Sequence, residues 1–175
     1  KSYKSHAKIR IGYFAADFHN HPGMHLMTEL FENHDKNKFE LIAFSFGPDK
    51  NDTWRQRVSK SFDQFIDVRT KTDQEIATLS REIEIDIAIN RGGYTQDCRP
   101  KIFAESCAPI QASYLGYPGT MGTEFMDYLI ADRTLIPLDN QHYYAEKIVY
   151  MPHSYQVNMS ERAISKTSFS KNSEL

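Results

Sequence analysis

Long apolar runs are missing from this 175-residue sequence. No stretch approaches the roughly 20 apolar residues that a membrane helix needs, so no span and no membrane partner are expected. The chain has no charged-then-apolar start, so no signal peptide is expected. Cysteine is scarce: Cys98 and Cys107 are the only two. They make no CxxC pair and no disulfide framework, which makes a reduced, cytoplasmic setting the default. An excess of either charge is also missing. The formal net charge is −2 and no basic block occurs, which argues against broad nucleic-acid binding. There is no GxGxxG, no HExxH and no GxSxG. These absences disfavour ordinary dinucleotide binding, a zinc protease and a serine hydrolase built on a nucleophile elbow. Internal repeats and low-complexity tracts are absent too.

What is present suits one globular domain. Hydrophobic residues are 40% and charged residues 25% of the chain, and the length is enough to bury a real core. Residues 8–15 (KIRIGYFA) read as a first strand. Residues 23–34 read as a helix, with Met24, Met27, Leu30 and Phe31 at helical spacing and Pro22 in the first turn. Strands follow at 38–46 and 62–68, separated by a helix that Asp52 is placed to cap. Thr72 and Glu75 form a capping-box pattern opening a helix over 72–83. Further strands are expected at 85–91, 110–116, 127–132 and 146–152, with a short helix at 98–106. Strands alternating with helices predict an α/β fold: an open, Rossmann-like, mainly parallel sheet with helices on both faces. In such sheets ligands bind beyond the carboxyl ends of the strands.

Three polar turns fall at those ends. The first, AADFHNHPGMHLM (15–27), holds Asp17, His19, His21 and His25. Three readings compete there. One is a metal site built on the imidazoles. The second is a sugar-transfer site, with a histidine holding a hydroxyl or phosphate, a carboxylate orienting a proton and a helix N-terminus favouring an anion. The third is plain capping, with His19 facing water. The second turn, NRGGYT (90–95), has two glycines and the hydroxyls of Tyr94 and Thr95; its plain reading is a tight turn. The third, YLGYPGTMG (114–122), is a shaped loop whose backbone amides can grip oxygens, or a structural loop only.

Taken together, IGYFAADFHNHPGMHLM, HDKNKFELIAFSF, APIQASYLGYPGTMGTEFMDYLIADR and EKIVYMPHSY closely resemble the catalytic region of the O-linked N-acetylglucosamine transferases, including SPINDLY-like members. The blocks keep their order and spacing over about residues 8–155. The resemblance implies one lobe of a two-lobed GT-B glycosyltransferase, with residues 1–7 and 156–175 as flanking linker or tail. It implies transfer of N-acetylglucosamine from a UDP-sugar donor to Ser or Thr hydroxyls of a protein or peptide acceptor, with inversion and with no metal or other cofactor. It further implies a C-terminal catalytic lobe and tetratricopeptide repeats as partners in a longer chain, and an isolated lobe without activity. Carried over by position, Asp17 is implied in proton movement and His21 lies at the donor sugar and phosphate. His25, Tyr94, Leu115, Gly116, Tyr117 and Pro118 are the implied substrate-binding residues. There are departures. Gly23 stands where animal members have a sugar-contacting threonine, SCAPIQ replaces RPAPIQ, and NRGGYT replaces LNGYT or LAGHT. Two further readings stand beside this one: a non-catalytic ligand- or protein-binding module, and a metal-dependent hydrolase built on the three histidines.

Overall fold

Strands and helices form in the expected order. The computed structural model describes residue 3 and residues 6–161. Within them lie β1 (Ile9–Ala15), α1 (Pro22–Glu32), β2 (Phe39–Ser45), α2 (Thr53–Ser61), β3 (Gln64–Asp67), α3 (Asp73–Glu82), β4 (Ile87–Asn90), α4 (Lys101–Ala104), β5 (Ile110–Tyr114), β6 (Tyr128–Ala131) and β7 (Lys147–Tyr150). One sheet contains all seven strands in the order β3-β2-β1-β4-β5-β6-β7. Every adjacent pair is parallel. The β6–β7 link carries a 3-10 turn at Leu138–Tyr143, which the sequence reading does not anticipate. The short helix expected at 98–106 contracts to four residues, because Pro100 takes the N-cap position and Ser106 adopts a positive φ.

Central parallel strands are buried on both faces, and β1 shows why its sequence is almost wholly apolar. Ile11, Tyr13 and Ala15 pack under α1 and α2 with Met24, Met27, Phe31 and Val58. Phe14 points the other way and joins Phe44, Ile76, Ile85, Ile102 and Phe103 under α3 and α4. The rings of Phe14 and Phe44 stack at 4.3 Å. The caps are those expected: the Asp52 side chain accepts from Arg55 N–H, and Thr72 and Glu75 complete a reciprocal capping box.

The expected tail begins as packed chain. Val157 lies against the first core cluster. The Tyr155 carbonyl accepts from Tyr114 Oη at 2.7 Å, and Ser160 Oγ donates to Glu29. Residues 1–2, 4–5 and 162–175, which make up most of the expected flanks, lie outside the described residues.

Two stability predictions follow from this packing. Phe44→Ala should cost about 3–5 kcal/mol by urea denaturation, because a fully buried ring is removed from a filled layer. A loss under about 1 kcal/mol would contradict that packing. His34 carries the second prediction. Its Nε2 lies 3.1 Å from Tyr13 Oη, and burial holds its pKa below the ordinary histidine value. The unfolded chain therefore takes up this proton at a higher pH than the folded one. The contribution is fully present above about pH 6.5 and is lost as pH falls through the folded-state value. The urea midpoint should drop between about pH 7.5 and 5, and drop less steeply in His34→Gln. Identical slopes would contradict the assignment.

Candidate active site

The strand order reverses direction between β1 and β4, which makes their carboxyl ends the topological switch point of the sheet. A cleft of about 530 Å³ opens there, in the range of small-molecule sites. Turns after β1, β2, β4 and β5 all contribute to it, through residues that include Asp17, His21, Lys50, Arg91 and Gly116.

Asp17 and Arg91 meet across the switch point because β1 and β4 are neighbours. Arg91 Nε donates to Asp17 Oδ1 at 2.8 Å, and Arg91 Nη2 is ion-paired with Asp17 Oδ2. This is a two-point bond in a dry place: Arg91 is only 5% exposed. Burial pulls the guanidinium down to about 10, which leaves it charged at neutral pH. In the sequence Arg91 is overshadowed by the glycines that follow it and carries no motif of its own.

His21 is the N-cap of α1, with an extended backbone and Pro22 following at the first helical position. Its Nδ1 lies 2.9 Å from Asp17 Oδ2 and 3.1 Å from Gly23 N. One nitrogen cannot donate to the carboxylate and accept from the amide at once. The charged acceptor is the stronger partner, so Nδ1–H goes to Asp17 and Nε2 keeps its lone pair. Burial, then the positive charge of Lys50, lowers the His21 pKa, so the ring is neutral at pH 7.

The other two histidines differ from His21: His19 also borders the cleft, its ring 5.9 Å from that of His21, and His25 does not. His19 is buried, not solvent-facing. Arg55 Nη1 donates to the Phe18 carbonyl and Asp52 accepts from Asn20 N–H, which folds the 17–21 turn inward. His25 leaves the cleft altogether. Its ring stacks on Trp54 at 4.2 Å and its Nε2 lies 2.8 Å from Asn20 Oδ1. The three imidazoles therefore do not converge, and no cluster of three His, Cys, Asp or Glu side chains suited to a metal occurs among the described residues.

On the β5 side, Leu115 and Gly116 line the cleft. Leu115 is held at φ +71°, an uncommon conformation for a bulky residue. Gly116 N–H donates to the carbonyls of Arg91 and Tyr114. A side chain at 116 would strike the Arg91 carbonyl, so this turn needs glycine. Tyr94, Tyr117 and Pro118 shape the loop from outside and do not line the cleft. Tyr94 is 49% exposed and its hydroxyl donates to the Met121 carbonyl at 2.8 Å. Tyr117 meets its ring edge-on at 5.8 Å and packs over Gly93.

Glu146, also missed in the sequence, fixes the far end of this loop. It is buried and accepts from Thr120 Oγ1 and Met121 N–H, both at 2.6 Å. Gln111, from the APIQ block, is structural. Its side chain ties Phe103, Cys107 and Phe125 to β5.

A doubly wound parallel sheet with a polar, partly dehydrated cleft at its switch point defines a Rossmann-like ligand-binding lobe. The chain belongs to glycosyl transferase family 41, whose model matches residues 1–170. It is 42% identical over 151 residues to an Arabidopsis thaliana protein named "Probable UDP-N-acetylglucosamine--peptide N-acetylglucosaminyltransferase SEC", covering 86% of this chain and 16% of that one. A Caenorhabditis elegans UDP-N-acetylglucosamine–peptide N-acetylglucosaminyltransferase is 36% identical over 149 residues, covering 85% of this chain and 13% of the relative. The solved structure of a Thermobaculum terrenum O-GlcNAc transferase superposes with a TM-score of 0.83 at 30% identity, over 86% of this chain and 29% of that one. The fold is thus one lobe of a GT-B glycosyltransferase, and the chain spans about a sixth of the length of the Arabidopsis relative.

Breaking a buried ion pair on one side leaves a charge without a partner. Arg91→Met or Asp17→Asn alone should each cost about 3 kcal/mol, and the double variant clearly less than their sum. Additive losses in urea denaturation would show that the two groups are not coupled.

Proposed function

We propose that this chain is the N-terminal, donor-side lobe of an inverting transferase that moves N-acetylglucosamine from UDP to Ser or Thr hydroxyls of a protein acceptor. One observation carries the reading: in a family 41 chain, Asp17, His21 and Arg91 form a connected chain of bonds at the switch-point cleft. The acceptor oxygen attacks the anomeric carbon, the bond from that carbon to the diphosphate breaks, and UDP leaves with the electron pair. The acceptor proton must go to a base. Both Asp17 oxygens are engaged by Arg91 and His21, so the base is His21 Nε2, while Asp17 holds the ring in the tautomer that can accept. Leu115 and Gly116 form the opposite wall for the sugar. Lys50 supplies positive charge toward the leaving phosphates, and a second lobe supplies the rest.

The same reading covers the surroundings. A second catalytic lobe and tetratricopeptide repeats accompany this lobe in a longer chain, which the short coverage of the relatives supports. No helix among the described residues is long and apolar enough to cross a membrane. Both cysteines are free, which fits a cytoplasmic setting. No metal or other cofactor takes part, so turnover should persist in EDTA.

The test is UDP release from UDP-N-acetylglucosamine with a peptide acceptor. A chain carrying both lobes should turn over, and this lobe alone should not, because half a cleft cannot hold a transition state. His21→Ala should lower kcat/KM by roughly 10²-fold or more. Turnover by the isolated lobe, or an undiminished His21→Ala variant, would overturn the proposal. Failure of every UDP-sugar in the two-lobed chain would make the lobe a binding module.

A further inference from the structure

Gly23 and the arginine in NRGGYT are two separate departures in the sequence and one feature in the structure. A side chain at residue 23 would land on the Arg91 guanidinium, and a side chain at 116 would meet the same group. Arg91 occupies the space beside both glycines, and from there it reaches both oxygens of Asp17. Asp17 in turn holds His21.

We propose that Arg91 is a positioning residue: with Gly23 and Gly116 making room for its guanidinium, it fixes the Asp17 carboxylate and through it orients His21 and sets how strongly Asp17 attracts a proton onto that ring. Arg91 itself touches no reacting atom in this scheme. The inference rests on the reading of His21 as the proton acceptor, but its physical core, the coupling of Arg91 to His21, is measurable without catalysis.

The sign of the coupling is fixed by charge. Asp17⁻ alone favours His21 in its protonated form; Arg91⁺ offsets that charge. Removing Arg91 should therefore make His21 easier to protonate, and neutralising Asp17 should make it harder. The other titratable and charged groups around the ring are His19, 5.9 Å away on the same turn, and Lys50 from the β2–α2 loop. Asp97, Cys98 and Arg99, from the turn after β4, line the same cleft. Arg99 is engaged by Asp73. None of these changes in the variants below.

The experiment is a histidine NMR titration of the 175-residue chain, with the His21 signal assigned by its loss in His21→Gln. Arg91→Met should raise the His21 midpoint by on the order of half to one pH unit, and Asp17→Asn should lower it. Gly23→Ala keeps the arginine but pushes its guanidinium off station, so it should raise the midpoint as well. Arg91→Lys keeps a charge with a poorer, one-point contact and should raise it by less; it covers the case in which Arg91→Met does not fold. An unmoved midpoint in the Arg91 and Gly23 variants would overturn the proposal and leave Arg91 as packing alone. In an active two-lobed chain, the acid limb of kcat/KM should move to higher pH in Arg91→Lys and to lower pH in Asp17→Asn, with the donor KM little changed. Should the two-lobed chain turn over no UDP-sugar, the functional reading falls while the titration result stands.

Discussion

A guanidinium buried at the mouth of a cleft demands an anion, and much of this site is arranged around that demand. Arg91 sits at the end of β4, out of water. The carboxylate that satisfies it must come from the neighbouring strand exit, and Asp17 is there because β1 and β4 pair in parallel. Once both Asp17 oxygens are committed, the ring of His21 is fixed, and so is the entry angle of α1. The glycines at 23 and 116 are conditions for the same pair, since any side chain there would displace it. Fold, cap and site share one electrostatic constraint.

The supporting structure keeps the two sides of the cleft in register. On the β1 side, Arg55 and Asp52 hold the 17–21 turn against α2. On the β5 side, Glu146 and Tyr94 hold the 115–122 loop from its far end. None of these four needs to touch a ligand to matter. Positioning groups of this kind decide whether a reacting group stands within the few tenths of an ångström that catalysis tolerates.

Much of the fold was legible in the sequence because its signals are local. The apolar runs of β1 and β2, the Asp52 cap and the Thr72–Glu75 box each follow from a few adjacent residues. The 3-10 turn at Leu138–Tyr143 was not legible, since it has no apolar periodicity and no cap bond. The site divides along the same line. Asp17, His21, Leu115 and Gly116 were marked by motif and do line the cleft. His25 was drawn in by proximity in sequence, but helical geometry turns it toward Trp54. Tyr94, Tyr117 and Pro118 belong to the right loops but to their outer side. Arg91 was hidden because its meaning depends on a partner 74 positions away and on a strand order that places β1 beside β4. The available signal was a cation closing the strand run IAINR, at a strand end where burial demands a counter-ion.

The most direct measurement is a crystal structure of a two-lobed chain carrying this sequence with UDP-N-acetylglucosamine bound. The account predicts the sugar between the turn at residues 21–23 and the turn at 115–116. His21 Nε2 should face the acceptor side of the anomeric carbon, with Asp17 still bonded to both Arg91 and His21. A sugar bound away from this switch point, or an Asp17 released from Arg91 to meet the acceptor directly, would contradict it.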